Sequence, residues 1–141
     1  ELTVTDRELA EAEEKLLGTA AGAEGVILGC PHYSLSQICL VHRRLAGRKA
    51  GIPVWILTSA AVAAQISRLP MGKDLKESNV TVIGDTCVDQ PCWGFLRGKR
   101  LLTDSPKCCY YTARRELNFS VMPLARCLDA ALGKEAECNA G

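Results

Sequence analysis

The 141-residue sequence has few aromatic side chains and no excess of basic ones. It contains two Phe, two Trp and three Tyr, and its 17 Lys and Arg nearly balance 16 Asp and Glu, for a formal net charge of +1. Nucleic-acid-binding domains rely on basic patches combined with aromatic residues, so this composition argues against a nucleic-acid partner. No apolar run approaches the roughly 18 residues of a membrane-spanning helix, so we expect no membrane partner either.

The sequence also lacks any Cys-x-x-Cys motif, although it contains eight cysteines, and we expect no secretory signal in its first residues. Residues 1–14 are acidic and polar, unlike a signal peptide. The missing motif disfavours an ordinary zinc ribbon. With 48% hydrophobic residues the chain can bury a core without disulfides, so we interpret the cysteines as reduced thiols in a cytoplasmic protein. Because the sequence begins with Glu1, we expect it to be a piece of a longer protein.

Short apolar runs alternate with capped helical segments along the chain. Buried strands are predicted at 24–30, 53–57, 80–84, 101–102 and 118–122. Helices are predicted to begin after Thr5, Ser34, Thr58 or Ser59, and Ser105, and the last one covers 124–132. Segment 71–79 is predicted to be a charged connection, and segment 88–98, which has no clear periodicity, is predicted to be an irregular loop.

This alternation predicts one α/β domain over residues 1–141. Parallel strands joined by right-handed crossovers place helices on both faces of the sheet. We therefore expect a three-layer αβα sandwich with a mainly parallel sheet of four to five strands in a flavodoxin-like order. Within it, residues 1–19 are predicted to form a leading helix, 20–133 the alternating core and 134–141 a frayed tail.

Polar side chains follow four of the predicted strands. The carboxyl ends of parallel strands lie at one edge of the sheet, where α/β proteins bind ligands. Ordinary roles are also open, since Ser59 and Ser105 suit helix caps, Thr86 suits a turn and His32 suits a bond to a nearby carbonyl. Convergence on one edge nevertheless favours a ligand site. The residues are Cys30, His32, Thr58, Ser59, Asp85, Thr86, Cys87, Thr103, Asp104, Ser105 and Lys107.

Two of these residues, Cys30 and Cys87, are candidate metal ligands. Each is predicted just past the apolar body of its strand, near backbone N–H groups and helix starts that favour a thiolate. Two thiolates suit iron, zinc or an iron–sulfur cluster, but they are too few for a tight site. A third ligand would be His32, Asp85, Cys92 or a residue outside this chain. The alternative is that both cysteines are small buried apolar side chains.

Lys107 is predicted in the first turn of a helix, where its charge opposes the helix dipole. One interpretation is a solvated lysine. The other is a substrate anion, a carboxylate or a phosphate, that is shared between Lys107, Ser105 and the free N–H groups of the helix.

At these residues the sequence resembles the aconitase X family. The resemblance extends over about residues 8–132 and depends on Leu28-Gly-Cys-Pro-His-Tyr-Ser-Leu35, Val54-Trp-Ile-Leu-Thr-Ser59, Gly84-Asp-Thr-Cys87 and Thr103-Asp-Ser-Pro-Lys107. It implies an aconitase-like domain of a hydro-lyase that dehydrates a small hydroxy acid such as cis-3-hydroxy-L-proline or, alternatively, phosphomevalonate. It implies a cysteine-bound iron centre, either mononuclear iron or an iron–sulfur cluster. It also implies two partners, the rest of the catalytic subunit and a small swivelling domain, without which the isolated domain would be inactive.

The resemblance and the strand-end positions together predict residue roles. The resemblance implies that Cys30 and Cys87 are two of three cysteine ligands, the third lying outside this chain, and we expect Asp85 and Thr86 to orient them. The predicted catalytic residues are Ser105, Lys107 and His32, and the predicted substrate-binding residues are Thr58, Ser59, Thr103, Asp104, Ser105 and Lys107. Where this sequence has Asp104, the family has Asn. The family continues with a Lys-Tyr-Ala-x-Tyr run where this sequence reads Lys107-Cys-Cys-Tyr-Tyr111.

Two functions of other classes stay open at this point. One is a non-catalytic, thiol-rich α/β domain that binds a metal or a partner protein. The other is a small phosphate-binding module, which is disfavoured because no Gly-rich phosphate loop follows the first strand.

Overall fold

Five parallel strands form one sheet in the computed structural model, which describes residues 3–134. The strands are β1 (Gly25–Tyr33), β2 (Val54–Thr58), β3 (Val80–Gly84), β4 (Arg100–Thr103) and β5 (Asn118–Val121). Their order across the sheet is β3-β2-β1-β4-β5, and every neighbouring pair is parallel. The predicted α/β class, with a mainly parallel sheet of four to five strands, is therefore confirmed.

The strand order corrects the flavodoxin-like order expected from the sequence. In that order β3 lies beside β1, on the side away from β2. Here β3 lies beyond β2, and β4 takes the place beside β1. Local periodicity did not reveal this, because a strand that is apolar on both faces does not specify its neighbours. The sheet consequently grows in one direction from β1 to β3 and in the other from β4 to β5.

Helices cover both faces of the sheet and complete the three predicted layers. Within residues 3–134 the α-helices are α1 (Asp6–Leu16), α2 (Leu35–Leu45), α3 (Ala60–Ser67), α4 (Pro70–Glu77), α5 (Pro106–Thr112) and α6 (Leu124–Ala131). Two 3-10 helices cover Pro91–Leu96 and Ala113–Arg115. Helices α2, α3, α4 and α6 pack on one face, around Leu28 and Ile56. Helix α5 and the first 3-10 helix pack on the other face, around Ile27 and Leu57.

Most helix starts follow the predicted capping residues. Thr5 and Ser34 each form a capping box, in which the hydroxyl accepts from the backbone three residues later. Ser59 accepts from the Val62 N–H at 3.3 Å and therefore caps α3. Thr58, the alternative cap, is buried and instead donates to the Tyr33 carbonyl at 2.6 Å.

Two segments predicted as a connection and a loop form helices. Helix α4 occupies most of segment 71–79, because Pro70 stands in its first turn instead of merely ending the preceding helix. The apolar side chain of Leu75 is buried on the sheet-facing side of this helix. The first 3-10 helix occupies the centre of segment 88–98 and buries Trp93 and Leu96, whose spacing of three matches its period. Both apolar patterns are too short to be recognised in the sequence.

The leading helix packs less closely than the core elements. Helix α1 ends at Leu16, within the predicted leading segment 1–19, and none of its residues is buried. Leu17 then forms a parallel bridge with Val121, so the chain runs beside the outer edge of β5 before it enters β1. Residues 135–141 of the predicted tail lie outside the described residues.

Among the helices of residues 3–134, none is both long enough and apolar enough to cross a membrane.

Candidate metal and substrate site

The strand order places a crevice between the ends of β1 and β4. In open α/β sheets, ligands bind at the carboxyl edge where the direction of sheet growth reverses. Two cavities lie at this edge and share Cys30, Pro31 and Lys107. The first cavity, of about 380 Å³, is also lined by His32, Cys87, Asp89 and Tyr111. The second cavity, of about 390 Å³, is also lined by Tyr33, Asp104 and Ser105.

A close approach of two strands fixes the backbone just before Cys30. Gly29 has φ of +94°, and a Cβ built on it would overlap the carbonyl oxygen of Leu57 on β2. Only glycine meets both conditions without strain. Strand β1 continues past the predicted end at residue 30 to Tyr33, with a register shift between Leu28 and Tyr33. Cys30 follows the buried part of the strand, as predicted, and His32 also lies within the strand.

Cys30 and Cys87, the predicted metal ligands, line the same cavity. Cys30 is half-buried, Cys87 is exposed, and neither forms a disulfide. Burial raises the pKa of the Cys30 thiol above its ordinary value, and the nearby Cys87 adds to this, whereas Ser105 and the positive charge of Lys107 oppose it. The expectation that this position favours a free thiolate is therefore wrong for Cys30. A bound metal ion would displace the proton, because coordinated thiols are deprotonated.

The chemistry of this donor pair fits part of an iron site. Two thiol sulfurs on one cavity are the soft ligands that iron and iron–sulfur clusters use. No group of three or more His, Cys, Asp or Glu side chains in residues 3–134 is arranged to hold a metal ion. Within those residues, His32, Asp85 and Cys92 are therefore not grouped with the two cysteines as a third ligand.

His32 joins the two cysteine-bearing segments. Its Nε2 lies 2.7 Å from the carbonyl oxygen of Thr86. A carbonyl oxygen only accepts, so Nε2 carries the proton and donates. This is the ordinary role that the sequence left open for His32, and it engages the backbone of the residue just before Cys87.

Asp85 belongs to the start of α3. It has φ of +51°, its N–H donates to the Thr58 carbonyl at 2.9 Å, and its carboxylate accepts from the Ala60 N–H at 2.7 Å. Asp85 thus caps α3 together with Ser59. Its carboxylate is engaged by that helix, and it lines neither of the two cavities.

Ser105 connects β1 with the start of α5. Its hydroxyl donates to the carbonyl of Cys30 and accepts from the Cys108 N–H, the latter at 3.1 Å. Thr103 is fully buried beneath it and accepts from the Ser105 N–H at 3.3 Å. The predicted substrate-binding residues Thr58, Ser59 and Thr103 therefore make internal hydrogen bonds and line neither cavity.

Asp104 and Tyr33 form a hydrogen-bonded pair in the second cavity. The Tyr33 hydroxyl donates to the Asp104 carboxylate. Burial raises the pKa of Asp104, and the bond from Tyr33 partly offsets this. Burial together with the neighbouring carboxylate also raises the pKa of Tyr33, so its hydroxyl stays protonated and keeps donating. Lys107 lines the same cavity.

Lys107 stands between the two cavities. It is exposed, and its Nζ lies 6.0 Å from the ring centre of Tyr111, one turn further along α5. This distance is at the limit of a cation–π contact, and both residues line the first cavity.

Comparison with known proteins identifies the domain. A family model described as the aconitase X third domain matches residues 23–133. The chain belongs to the aconitase X family. The resemblance noted from the sequence and the α/β fold are thereby confirmed.

Relatives of this aconitase X domain are much longer proteins. It is 31% identical over 123 residues to the phosphomevalonate dehydratase large subunit of Thermococcus kodakarensis, covering 85% of this chain and 31% of that protein. It is 32% identical over 87 residues to the phosphomevalonate dehydratase large subunit of Methanothermobacter thermautotrophicus, covering 62% and 22%. The holo-form of Thermococcus kodakaraensis aconitase X has a similar structure, with a TM-score of 0.77 and 26% identity over 95% of this chain and 34% of that one. The chain thus spans about a third or less of their length.

Several residues of this aconitase X site were not singled out from the sequence. Tyr33 follows the Cys30-Pro-His run directly, so its position within that segment was a usable signal. Asp89 is bound by Arg114 and by Arg115, whose Nε lies at 3.1 Å, and the Arg114 contact is the main cause that lowers the Asp89 pKa. No sequence pattern joins Asp89 to two arginines 25 residues later. Tyr111 was noted only as part of a departure from the family.

Proposed function

We propose that the chain works as the third domain of a hydro-lyase large subunit that removes water from a small hydroxy acid. Cis-3-hydroxy-L-proline is the first substrate to test. Phosphomevalonate, after which the curated relatives are named, is the alternative. The observation that carries the proposal is that Cys30, Cys87 and Lys107 line one cavity at the carboxyl edge of the sheet. It supports a metal and a substrate anion bound side by side.

Cys30 and Cys87 would hold iron, as a mononuclear centre or as part of a cluster, together with a third ligand from outside this chain. When bound, iron with an open coordination position supplies a Lewis acid that assists departure of the substrate hydroxyl. The half-buried Cys30 suits this role, because a dry site strengthens the attraction between a thiolate and a cation. Thr86 and Asp85 act on the ligands indirectly, since both are part of the segment that carries Cys87.

Lys107 would bind the substrate carboxylate, because it is the cation common to both cavities. Asp104, held by Tyr33, would face the part of the substrate that enters the second cavity. Ser105 stays a predicted catalytic residue. Its hydroxyl already bonds Cys30 and Cys108, so we propose that it first of all fixes the Cys30 segment against α5. Thr58, Ser59 and Thr103 would contribute by holding the strand ends that shape the site.

The partners would be the remaining domains of the large subunit and a small swivelling subunit. The relatives are named large subunits, which supports at least one further subunit. The seven cysteines among the described residues are all free, and this supports a reducing compartment such as the cytoplasm.

The test is a dehydratase assay on the large subunit that carries this domain, loaded with iron without oxygen and combined with its small partner. Cys30→Ser and Cys87→Ser should each lose iron and dehydration of whichever substrate the wild type accepts. Cys92→Ser is the matched control, because Cys92 is also exposed, lies five residues from Cys87 and lines neither cavity. Unchanged iron and activity in both Cys30→Ser and Cys87→Ser would contradict the proposal.

A second candidate is a non-catalytic thiol-rich domain that binds a metal or a partner. The observation in its favour is the incomplete ligand set within residues 3–134. Iron that depends on Cys30 and Cys87, without dehydration of either substrate, would favour this candidate.

A further inference from the structure

Cys87 lies on a segment without regular secondary structure. Residues 85–90 connect β3 to the first 3-10 helix, and a metal ligand in such a segment needs neighbours that fix its position. On one side, the indole Nε1 of Trp93 donates to the Cys87 carbonyl at 3.1 Å, and Val88 is buried beneath the segment. Further along, Asp89 is held by Arg114 and Arg115. These contacts anchor the Cys87 segment to the first 3-10 helix and to the second, Ala113–Arg115, which follows α5.

None of those contacts links Cys87 to the segment that carries Cys30. The hydrogen bond from His32 Nε2 to the Thr86 carbonyl, at 2.7 Å, provides that link. His32 is two residues after Cys30 in β1, and Thr86 immediately precedes Cys87. The bond therefore joins the backbones that carry the two thiols across the cavity that both of them line.

We propose that His32 is a positioning residue whose Nε2–H holds the Thr86 carbonyl and thereby sets the separation of the Cys30 and Cys87 thiols. The inference rests on the proposed function, in which these two thiols bind iron. It replaces the catalytic role that was predicted for His32 from the sequence. Groups that orient metal ligands without touching the metal change metal affinity by about 10- to 100-fold when they are removed.

Two substitutions of His32 separate positioning from proton transfer. His32→Phe keeps a planar ring of similar size and removes the donor. His32→Gln places an amide N–H near the position of Nε2 and has no ionisable group. His42→Gln is the matched control, because His42 pairs with Asp74 at 3.0 Å and lines neither cavity.

Three readouts are measured on the iron-loaded large subunit with its small partner. They are the rate of iron loss to EDTA, hydrogen exchange of the amides in residues 85–90, and the pH profile of kcat. His32→Phe should lose iron about tenfold faster or more and exchange these amides faster. His32→Gln should restore iron retention to within about threefold of the wild type. It should also leave the shape of the pH profile as in the wild type, and His42→Gln should match the wild type throughout.

Two results would overturn the proposal. In one, His32→Phe keeps normal iron retention and normal amide exchange while its thermal unfolding shows a folded protein. In the other, His32→Gln lowers kcat as much as His32→Phe does, while both variants retain iron. That result would indicate that His32 transfers a proton in the reaction and does not act by positioning. Failure of the proposed function would give a different result. The wild type would then dehydrate neither substrate, while amide exchange would still report whether His32 holds the Cys87 segment.

Discussion

Gly29 and Leu57 approach so closely that the backbone of β1 touches the backbone of β2 one residue before Cys30. The φ of Gly29 is +94°, and an added Cβ would meet the Leu57 carbonyl oxygen and lie 3.0 Å from the Leu57 carbonyl carbon and nitrogen. Neither strand can shift easily, because both are central in the sheet and their apolar side chains are buried. The position of the Cys30 thiol therefore depends on a residue that has no side chain.

We expect Gly29→Ala to lower the free energy of unfolding well beyond the cost of the dihedral alone, which is ~1–2 kcal/mol. The additional loss comes from the backbone overlap with Leu57. Gly98→Ala is the matched control, since Gly98 also has positive φ, at +76°, but nothing lies within 4 Å of an added Cβ. Urea unfolding of both variants checks the prediction. Equal losses in the two variants would show that the approach to Leu57 does not matter.

We expect Lys107→Met to raise KM for a carboxylate substrate about tenfold or more, because a hydrogen bond to a charged group is worth ~1.5–3 kcal/mol. Iron content should not change, since Lys107 is not a ligand.

Asp104→Asn should lower KM for a substrate with two anionic groups. The substitution removes a negative charge from the second cavity and leaves an amide oxygen that accepts from Tyr33.

Steady-state kinetics with both substrates check the signs of these two effects. Lys73→Met serves as the control for loss of a surface cation, because Lys73 pairs with Glu77 at 3.7 Å on the exposed side of α4. A KM that is unchanged in Lys107→Met would return Lys107 to the solvated lysine that the sequence also allowed.

Alkaline pH should destabilise the domain through two buried thiols. Burial raises the pKa of Cys108 and of Cys127 to about 12 from the ordinary 9.0. Between these values the unfolded chain has released protons that the folded chain still holds. The free energy of unfolding therefore falls as pH rises above 9, with a limiting slope of ~1.4 kcal/mol per pH unit for each thiol.

Urea unfolding at intervals from pH 9 upward measures this slope. A variant with Cys108→Ala and Cys127→Ala should lose most of it, although the small cavities lower its stability at every pH. An identical slope in the double variant would show that other groups cause the alkaline loss.

The hydrophobic and capping patterns were sufficient to predict the elements that are locally specified. The core strands and the starts of α2, α3 and α5 depend on short apolar runs and on Ser34, Ser59 and Ser105, whose capping hydrogen bonds reach only three residues along the chain. Helix α4 was missed because Pro70 is compatible with both the end of one helix and the start of the next. A proline excludes a helix only when it would need the missing N–H, and in the first turn it does not.

The candidate site shows a similar division. A strand-end position and residue type were enough to nominate Cys30, Cys87 and Lys107, which do line a common cavity. The same criteria could not separate them from Thr58, Thr103 and Asp85, which make internal hydrogen bonds. The distinction depends on which way each side chain turns at the end of its strand, and that is decided by neighbouring strands and not by adjacent residues.

The sequence by itself determined the α/β class, the edge of the sheet that carries the polar residues and the family to which the domain belongs, because these depend on local periodicity and on short motifs. Tertiary structure alone decided the strand order, the raised pKa of Cys30, the Tyr33–Asp104 pair and the bond from His32 to Thr86. Tyr33 and Asp104 are 71 positions apart in the sequence, and His32 and Thr86 are 54 positions apart. Packing at the carboxyl edge of the sheet brings these residues together, and no local pattern encodes a contact over that separation.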